Sequence, residues 1–392
     1  MKLRYLSLLL ALFLLCGCSN ATPAPTENTS IEHSENNITK TPAPEQEETN
    51  LDTEPEPQID PLVESISAMS DEALVGQLFL ARYPGNSRAL TAIAERHIGG
   101  FVLFGADLEY QTAKGIADEL NMLQAASHIP LLIAVDEEGG SVTRVSTYPQ
   151  YRETRFPSPR KLYDQGGLEL VLSTEEEKCQ LLRTLGINVN LAPVCDVTTD
   201  PGAFMYSRSL GQAPEITGQY ISAVVELMHS KGVCGVLKHF PGYGNNDDTH
   251  IGTALDNRSL EELESNDLIP FQAGIDAGCD AIMVTHTTIA ALDATMPGSL
   301  SPSVMDYLRQ DMGFDGVIMT DDLAMGAITD VYGAGEAAVL AVLAGNDVLC
   351  CSEYEIQYDA VLQALQEGRL TRERLEESVY RILLWKQDLG LI

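Results

Sequence analysis

From residue 76 onward, short apolar segments alternate with longer amphipathic segments, and this alternation constrains the fold more than any other feature of the chain. Apolar residues at helical spacing, with charges opposite, predict helices in segments such as Leu108–Ser127, Thr174–Leu185, Glu215–Lys231 and Ser259–Ala277. Near-continuous apolar strands between such helices indicate a parallel sheet that is covered on its outside. The predicted strands are Gly76–Ala81, Gly100–Phe104, Pro130–Val135, Asn188–Ala192, Gly232–Leu237, Ala281–Val284, Gly316–Met319 and Asp347–Cys350.

Eight such units predict an α/β fold of the (β/α)8 TIM-barrel type, with residues 61–392 forming one catalytic domain. A barrel commonly reaches this length as a single domain, whereas most other architectures would split into two. The segment Arg372–Leu389 is amphipathic and is expected to close the barrel. An open, doubly wound sheet is the alternative that the alternation alone leaves open.

Ionisable residues follow five consecutive strands of this predicted sheet. In a barrel enzyme the C-terminal ends of the strands form the mouth of the active site. Packing does not explain why apolar strands should end repeatedly in charged groups, so the pattern predicts an active site there. The residues are Asp136-Glu137-Glu138-Gly139-Gly140, Asp196, Lys238-His239, His286 and Asp321-Asp322.

The N-terminus predicts export. Its apolar run from Leu6 to Leu15 is too short to span a bilayer and is typical of a signal peptide. Residues 1–18 end in Cys16-Gly17-Cys18, which resembles a lipobox, so Cys18 is predicted to be lipidated and to anchor the protein to the outside of the cell membrane. An ordinary secretory signal is the alternative. Residues 19–60 are rich in Thr, Pro and Glu and predict a disordered stalk.

Composition excludes some partners. The formal net charge of −33 argues against nucleic acid as a partner and against attachment to an anionic membrane by charge. No cofactor and no metal is predicted, since the acidic residues are scattered over different strands without a ligand spacing. The domain's cysteines are predicted to be small buried residues rather than disulfides or zinc ligands. They are Cys179, Cys195, Cys234, Cys279, Cys350 and Cys351.

The segment from Lys238 to His250 predicts a loop that carries a proton donor. Its proline and glycines indicate a special backbone shape. Asp248 and His250 are two residues apart, so in an extended stretch their side chains lie on the same face. A carboxylate beside an imidazole stabilises the imidazolium, which makes a proton donor usable near neutral pH. For an isolated Asp-x-His the simpler alternative is a histidine that only hydrogen-bonds to the backbone.

Several motifs, in one order from about residue 65 to 390, resemble those of the bacterial β-N-acetylhexosaminidases of glycoside hydrolase family 3. They include Asp136-Glu137-Glu138-Gly139-Gly140-Ser141-Val142-Thr143-Arg144, Lys238-His239-Phe240-Pro241-Gly242 with Asp248-Thr249-His250, and Gly316-Val317-Ile318-Met319-Thr320-Asp321-Asp322. Tyr243 departs from the histidine that is frequent in the family at that position, and Thr249 departs from a common serine.

The resemblance implies roles for individual residues. Asp321 matches the family's nucleophile, with Asp322 as its neighbour and rival. His250 matches the general acid/base and Asp248 its partner. His286 is expected near the site. The residues that match those holding the sugar's hydroxyls are Asp136, Arg144, Arg208, Lys238 and His239.

The expected function is that of a retaining, exo-acting β-N-acetylhexosaminidase that releases terminal β-N-acetylglucosamine from cell-wall or related glycans, acting as a monomer. The alternatives are a family 3 β-glucosidase or β-xylosidase and a catalytically inactive, lipid-anchored glycan-binding protein. The first usually takes its acid/base from a second domain, for which this sequence leaves no expected room. Peptidoglycan fragments, chitin oligomers and host glycans stay open as substrates, as do water and phosphate as acceptors.

Overall fold

The computed structural model describes residues 60–244 and 254–392; Cys18, Asp248 and His250 lie outside the described residues. Eight of the described strands form one parallel sheet: β1 (Phe79–Arg82), β2 (Gly100–Leu103), β3 (Leu132–Val135), β4 (Val189–Asn190), β5 (Cys234–Phe240), β7 (Ala281–Val284), β9 (Val317–Thr320) and β10 (Leu349–Cys351). Two short strands beyond the C-terminal ends of β5 and β7 pair with each other, namely β6 (Leu255–Asp256) and β8 (Thr288–Ile289).

The large sheet closes on itself. Its order, β10-β1-β2-β3-β4-β5-β7-β9, follows the chain around a circle. The remaining gap between β9 and β10 is bridged at Met319 and Val348, and the Thr320 N–H donates to the Val348 carbonyl at 3.1 Å. An open sheet would leave two edge strands unpaired. The predicted (β/α)8 barrel is therefore confirmed, and the doubly wound alternative is wrong.

Helices cover the barrel on its outside. Several of their N-termini are capped by short polar side chains, as where Thr112 Oγ1 accepts from the Gly115 N–H at 3.0 Å. The helices are α1 (Pro61–Ser67), α2 (Asp71–Gln77), α3 (Asn86–Arg96), α4 (Gly105–Leu108), α5 (Ala113–Ala126), α6 (Pro159–Thr184), α7 (Pro214–Ser230), α8 (Leu260–Glu264), α9 (Leu268–Asp276), α10 (Pro302–Asp306), α11 (Gly326–Thr329), α12 (Ala334–Ala344), α13 (Tyr354–Gln366) and α14 (Arg372–Asp388), with a 3-10 turn at Gly298–Leu300 and a π turn at Tyr307–Asp311.

Element boundaries differ from the prediction where local capping competes with the apolar pattern. The first strand begins at Phe79 rather than Gly76, because Ser70 caps α2 and the helix runs through residue 77. The helix predicted over residues 259–277 is two helices, α8 and α9, and Pro270 lies in the first turn of α9, where a missing N–H is tolerated. The pair Gly166 and Gly167 interrupts α6 with non-helical backbone angles.

The core has two layers, one between sheet and helices and one inside the barrel. Ile382 and Trp385 of α14 belong to the inner layer, so this helix closes the N-terminal end of the barrel as predicted. The six cysteines of the described residues are buried free thiols, in agreement with the prediction. Within residues 60–244 and 254–392, no helix combines the length and apolar character that a membrane span requires.

Candidate active site

The C-terminal ends of the strands surround a cavity of about 240 Å³. Three cavities are larger: two, of about 530 and 430 Å³, lie at the other end of the barrel against α1, α2 and α14, and one, of about 520 Å³, lies beside α6. We assign the site to the smaller cavity because the predicted polar residues converge there. It is lined by Val102, Phe104, Asp136, Glu138, Val142, Arg144, Leu191, Arg208, Lys238, His239, Met283, Asp321, Asp322, Met325 and Cys350.

One wall of the cavity is a chain of ion pairs. Lys238 Nζ lies 2.8 Å from Asp136 Oδ1 and 2.8 Å from Glu138 Oε1. Arg208 donates to the two oxygens of Glu138 at 2.7 and 3.0 Å, in the bidentate arrangement that fixes both planar groups. Arg144 Nη2 is 3.5 Å from Asp136 Oδ2 and extends the chain outward. Parts of the chain far apart in sequence therefore form one rigid polar surface.

This wall is ionised near neutral pH. Burial alone would raise the pKa of Glu138, but the charges of Lys238 and Arg208 outweigh burial and hold the pKa of Glu138 well below its ordinary value. Burial likewise lowers the pKa of Lys238, and the carboxylates of Asp136 and Glu138 more than compensate, so the net pKa of Lys238 is raised. The wall therefore presents fixed charges to the cavity.

His239 is oriented by a buried carboxylate behind it. Asp196 Oδ2 lies 2.9 Å from His239 Nδ1 and accepts the His239 backbone N–H at 3.2 Å, and Asp196 Oδ1 accepts the Tyr243 N–H at 2.7 Å. The imidazole must donate from Nδ1 to this carboxylate. His239 Nε2 then lies 3.2 Å from Arg208 Nη2, so the ring is held between the buried carboxylate and the guanidinium.

Asp321 faces the cavity directly after β9. The Asp322 N–H donates to Asp321 Oδ1 at 2.8 Å. Burial raises the pKa of Asp321, but His286, His239, the Asp322 N–H and Lys238 together outweigh it, so the pKa of Asp321 lies below its ordinary value. Asp321 is thus an ionised carboxylate at the floor of the cavity.

Asp322, although adjacent, uses its carboxylate to hold loops together. Its Oδ1 accepts the backbone N–H groups of Ala324 at 3.0 Å and Ser352 at 3.1 Å, and its Oδ2 accepts the Ser352 hydroxyl. These bonds tie the end of β9 to the end of β10. Asp321 is consequently the better candidate for chemistry at this strand end.

His286 lies behind the cavity rather than on its surface. Its Nδ1 is 2.6 Å from Ser299 Oγ, and its Nε2 is 2.9 Å from the Asp322 carbonyl oxygen, so Nε2 must donate. The ring therefore supports the backbone that carries Asp321 and Asp322. A direct contact between His286 and a ligand in the cavity is not indicated by this placement.

The conformation of the loop after β3 depends on Glu137 and Gly139. Glu137, fully buried, accepts the backbone N–H groups of residues 144, 145 and 146 at 2.8, 2.7 and 3.2 Å. Gly139 has φ of +103°, and a Cβ there would lie 2.4 Å from the Pro157 carbonyl oxygen. The folded-back loop places Asp136 and Glu138 on one face and brings Arg144 beside them.

Sequence reasoning assigned no role to three residues of the site. Glu138 was placed at the predicted mouth of the active site but was given no contact with the sugar, although its spacing of two from Asp136 indicates a shared face in extended chain. Asp196 was recognised only as a polar residue at a strand end. Phe104, which forms an aromatic wall between Arg82 and Arg144 at 4.6 and 5.7 Å, carries no chemical pattern that could have revealed it.

A parallel (β/α)8 barrel with an ionised carboxylate and a polar cavity at its C-terminal face has the arrangement of a barrel enzyme. Residues 71–384 match the family described as glycosyl hydrolase family 3 N terminal domain. The chain belongs to glycoside hydrolase family 3, is a glycoside hydrolase by that membership, and the predicted resemblance is confirmed.

Relatives of known name agree with the family. The chain is 30% identical over 329 residues to the β-hexosaminidase LpqI of Mycobacterium tuberculosis, covering 81% of this chain and 83% of that protein. It is 35% identical over 289 residues to a β-hexosaminidase of Stenotrophomonas maltophilia, covering 71% and 83%. A family 3 β-N-acetylglucosaminidase structure from Paenibacillus superposes with a TM-score of 0.77 at 34% identity, over 83% of this chain and 63% of that one.

Proposed function

We propose that the protein is a retaining, exo-acting β-N-acetylhexosaminidase in which Asp321 is the nucleophile. The observation that carries this proposal is the pair of carboxylates after β9, of which Asp322 is occupied by hydrogen bonds from other loops and Asp321 faces the cavity in ionised form. The names of the relatives support the acetylated sugar as substrate.

The cavity suits one sugar ring rather than a chain. Its volume of about 240 Å³ is below the range of sites for larger ligands, and the barrel core closes its floor. Asp136, Arg208, Lys238 and His239, with Glu138, would bind hydroxyl groups of the terminal sugar through charge-assisted hydrogen bonds. A closed floor beneath a single sugar site fits removal of terminal residues.

The chemistry requires a nucleophile and a proton donor. In a retaining reaction the Asp321 carboxylate attacks the anomeric carbon while an acid protonates the departing oxygen, and water then attacks the glycosyl-enzyme with the acid acting as base. We propose His250 for the acid/base role, supported by Asp248, from their motif alone. His286 would keep the strand end that carries Asp321 in place.

We further propose export, lipid attachment at Cys18, a stalk over residues 19–60, a catalytic domain over residues 61–392, and a monomer that acts on cell-wall or related glycans. The proposals of export, lipid attachment and a stalk rest on the N-terminal sequence pattern. Mass spectrometry of the membrane fraction, with Cys18→Ala as the comparison, tests them: the variant should lose the lipid mass and leave the membrane. Equal membrane attachment of both forms would contradict the anchor.

The activity is tested on aryl β-N-acetylglucosaminide beside aryl β-glucoside. Preferred cleavage of the acetylated sugar is expected, with loss of about 10³-fold or more in Asp321→Asn, since the covalent step is removed. Asp322→Asn is the matched control and should keep most of the rate. An active Asp321→Asn variant would exclude this nucleophile.

Two further measurements separate the alternatives. A fluorinated N-acetylglucosaminyl substrate that traps the glycosyl-enzyme should label the peptide that contains Asp321, and a label elsewhere would contradict its role. His250→Ala should lose less rate on substrates whose leaving group needs no proton. Formation of a sugar 1-phosphate in phosphate buffer would identify phosphate as the acceptor. Sugar binding without turnover of any glycoside would favour the binding-protein alternative.

A further inference from the structure

The loops after β2 and β3 form a rim beside the cavity that the proposed sugar site does not use. Phe104 lines the cavity, and the next residue, Gly105, lies against the ring of Tyr148: a Cβ at Gly105 would be 3.2 Å from Tyr148 Oη. Tyr148 is half-buried, whereas Tyr110, just after α4, is 89% exposed. The two loops beside the cavity therefore carry three aromatic side chains, of which one lines the cavity, one is half-buried and one is exposed to solvent.

The turn that carries Tyr110 is held from the β3 loop. Gln150 Nε2 donates to the carbonyl oxygens of Glu109 at 2.9 Å and Gln111 at 3.3 Å. Tyr151 Oη donates toward the carbonyl oxygens of Leu108 at 2.9 Å and Gln111 at 3.1 Å. The exposed aromatic ring thus stands on a backbone fixed by another loop, and such preorganisation lowers the entropy cost of binding a ligand.

Arg144 stands between the cavity and this rim. Its only polar side-chain contact among the described residues is the 3.5 Å approach to Asp136, at the outer limit of a hydrogen bond, and its buried Nε has no partner there. A guanidinium in this position can donate to a hydroxyl or carbonyl oxygen of a bound molecule. Aromatic rings beside such a donor are suited to sugar rings, which offer an apolar face and polar edges.

We propose that Tyr110 and Tyr148 form a second sugar-binding site on the rim, which holds the sugar on the leaving-group side of the scissile bond. The inference rests on the proposed function and refines its substrate class: the protein acts on oligosaccharides in preference to simple glycosides. The terminal sugar occupies the cavity, the bond to be cleaved lies at its mouth near Phe104 and Arg144, and the next sugar packs on the tyrosines.

The test compares N,N′-diacetylchitobiose with methyl N-acetyl-β-glucosaminide, whose leaving group is too small to reach the rim. Tyr110→Ala and Tyr148→Ala should each lower kcat/KM on the disaccharide about 5- to 20-fold and leave the methyl glycoside unchanged, because only a sugar leaving group contacts the rings. Tyr148→Phe keeps its ring and should retain the wild-type rate. Leu343→Ala, an exposed apolar residue on α12, is the matched control.

A second measurement avoids turnover. In the Asp321→Asn background, calorimetric binding of the disaccharide should weaken by a similar factor on adding Tyr110→Ala, whereas binding of N-acetylglucosamine alone should not change. Equal losses on both glycosides, or no loss on the disaccharide, would overturn the second site while leaving the proposed function intact. A wild-type enzyme that cleaves neither glycoside would overturn both.

Discussion

Replacing Lys386 with methionine should stabilise the protein at neutral pH and destabilise it above about pH 9. Lys386 is fully buried at the N-terminal end of the barrel, where its Nζ donates to Gln77 Oε1 at 2.8 Å and to the Gly99 carbonyl at 3.1 Å. Two acceptors match the two N–H bonds of a neutral amine, and no carboxylate among the described residues pairs with it. Burial lowers the pKa of Lys386 to about 7.

The size of the effect follows from the gap between this pKa and the 10.5 of a free lysine. Between these values the unfolded chain binds a proton that the folded protein does not, so stability rises with pH through this window and is lost as pH falls. The whole gap is equivalent to about 4 to 5 kcal/mol. Methionine removes this cost of deprotonating the buried amine. It also leaves two acceptors without a hydrogen bond, which destabilises the folded protein by about 1 kcal/mol for each acceptor. The free energy of unfolding of Lys386→Met should therefore exceed that of the wild type by about 2 to 3 kcal/mol near pH 7. Near pH 9 the sign of this difference should change.

Urea denaturation of wild type and Lys386→Met at several pH values between about 7 and 10 measures this difference. The difference in unfolding free energy should shrink by about 1.4 kcal/mol per pH unit. Lys114→Met is the matched control, because that side chain is 83% exposed and its difference should not depend on pH. A pH-independent difference for Lys386→Met would show that the buried amine stays protonated, and would refute the reasoning.

Other predictions concern the site and its loops. Asp196→Asn should lower kcat/KM by about 10²-fold, because an amide N–H facing His239 Nδ1 would donate where the carboxylate accepts, and would change the tautomer of His239. The NMR shifts of the imidazole nitrogens should change in this variant, and unchanged shifts would contradict the assignment. Since the pKa of Asp321 lies below its ordinary value, protonation of Asp321 should not lower kcat/KM until the pH drops below that ordinary value, and a pH–rate profile checks this. Gly242→Ala should lower the free energy of unfolding, measured by chemical denaturation, by about 2 to 4 kcal/mol, since its Cβ would lie 2.4 Å from a buried carboxylate oxygen. Gly278→Ala, with open space around it, should lower it by only about 1 kcal/mol.

The fold was predictable because its determinants are local and periodic. Each strand is a short apolar run, and the position of the charged residues after the runs gives the direction of the sheet. Boundaries were less predictable because capping and backbone conformation act over one or two residues, as at Ser70 before α2 and at Gly166 within α6. The pattern of burial determines which elements form, and these local contacts determine where they end.

Most residues of the site could be predicted from the sequence, but which of them pair with each other could not. Arg208 and Glu138 are separated by 70 residues, and Asp196 and His239 by 43, so no spacing in the sequence indicates that they pair. The sequence also does not indicate that Asp322 holds loops while Asp321 faces the cavity, because this difference depends on where Ser352 lies. Three-dimensional contacts therefore separate the carboxylates that build loops from the one that faces the cavity.

The charges of the cavity account for why Asp321 is available to react. The carboxylates of the wall, Asp136 and Glu138, are each held in ion pairs with Lys238, Arg208 or Arg144. Asp322 is compensated by donors from neighbouring loops. The charge on Asp321 is therefore the one in the cavity without a dedicated ion-pair partner among the described residues. In the proposed mechanism positive charge develops at the anomeric carbon, and an unpaired carboxylate at the floor stabilises it more strongly than one already held in a salt bridge. In the proposed mechanism the wall binds the sugar with carboxylates that are already paired, and the charge of the nucleophile is left for the transition state.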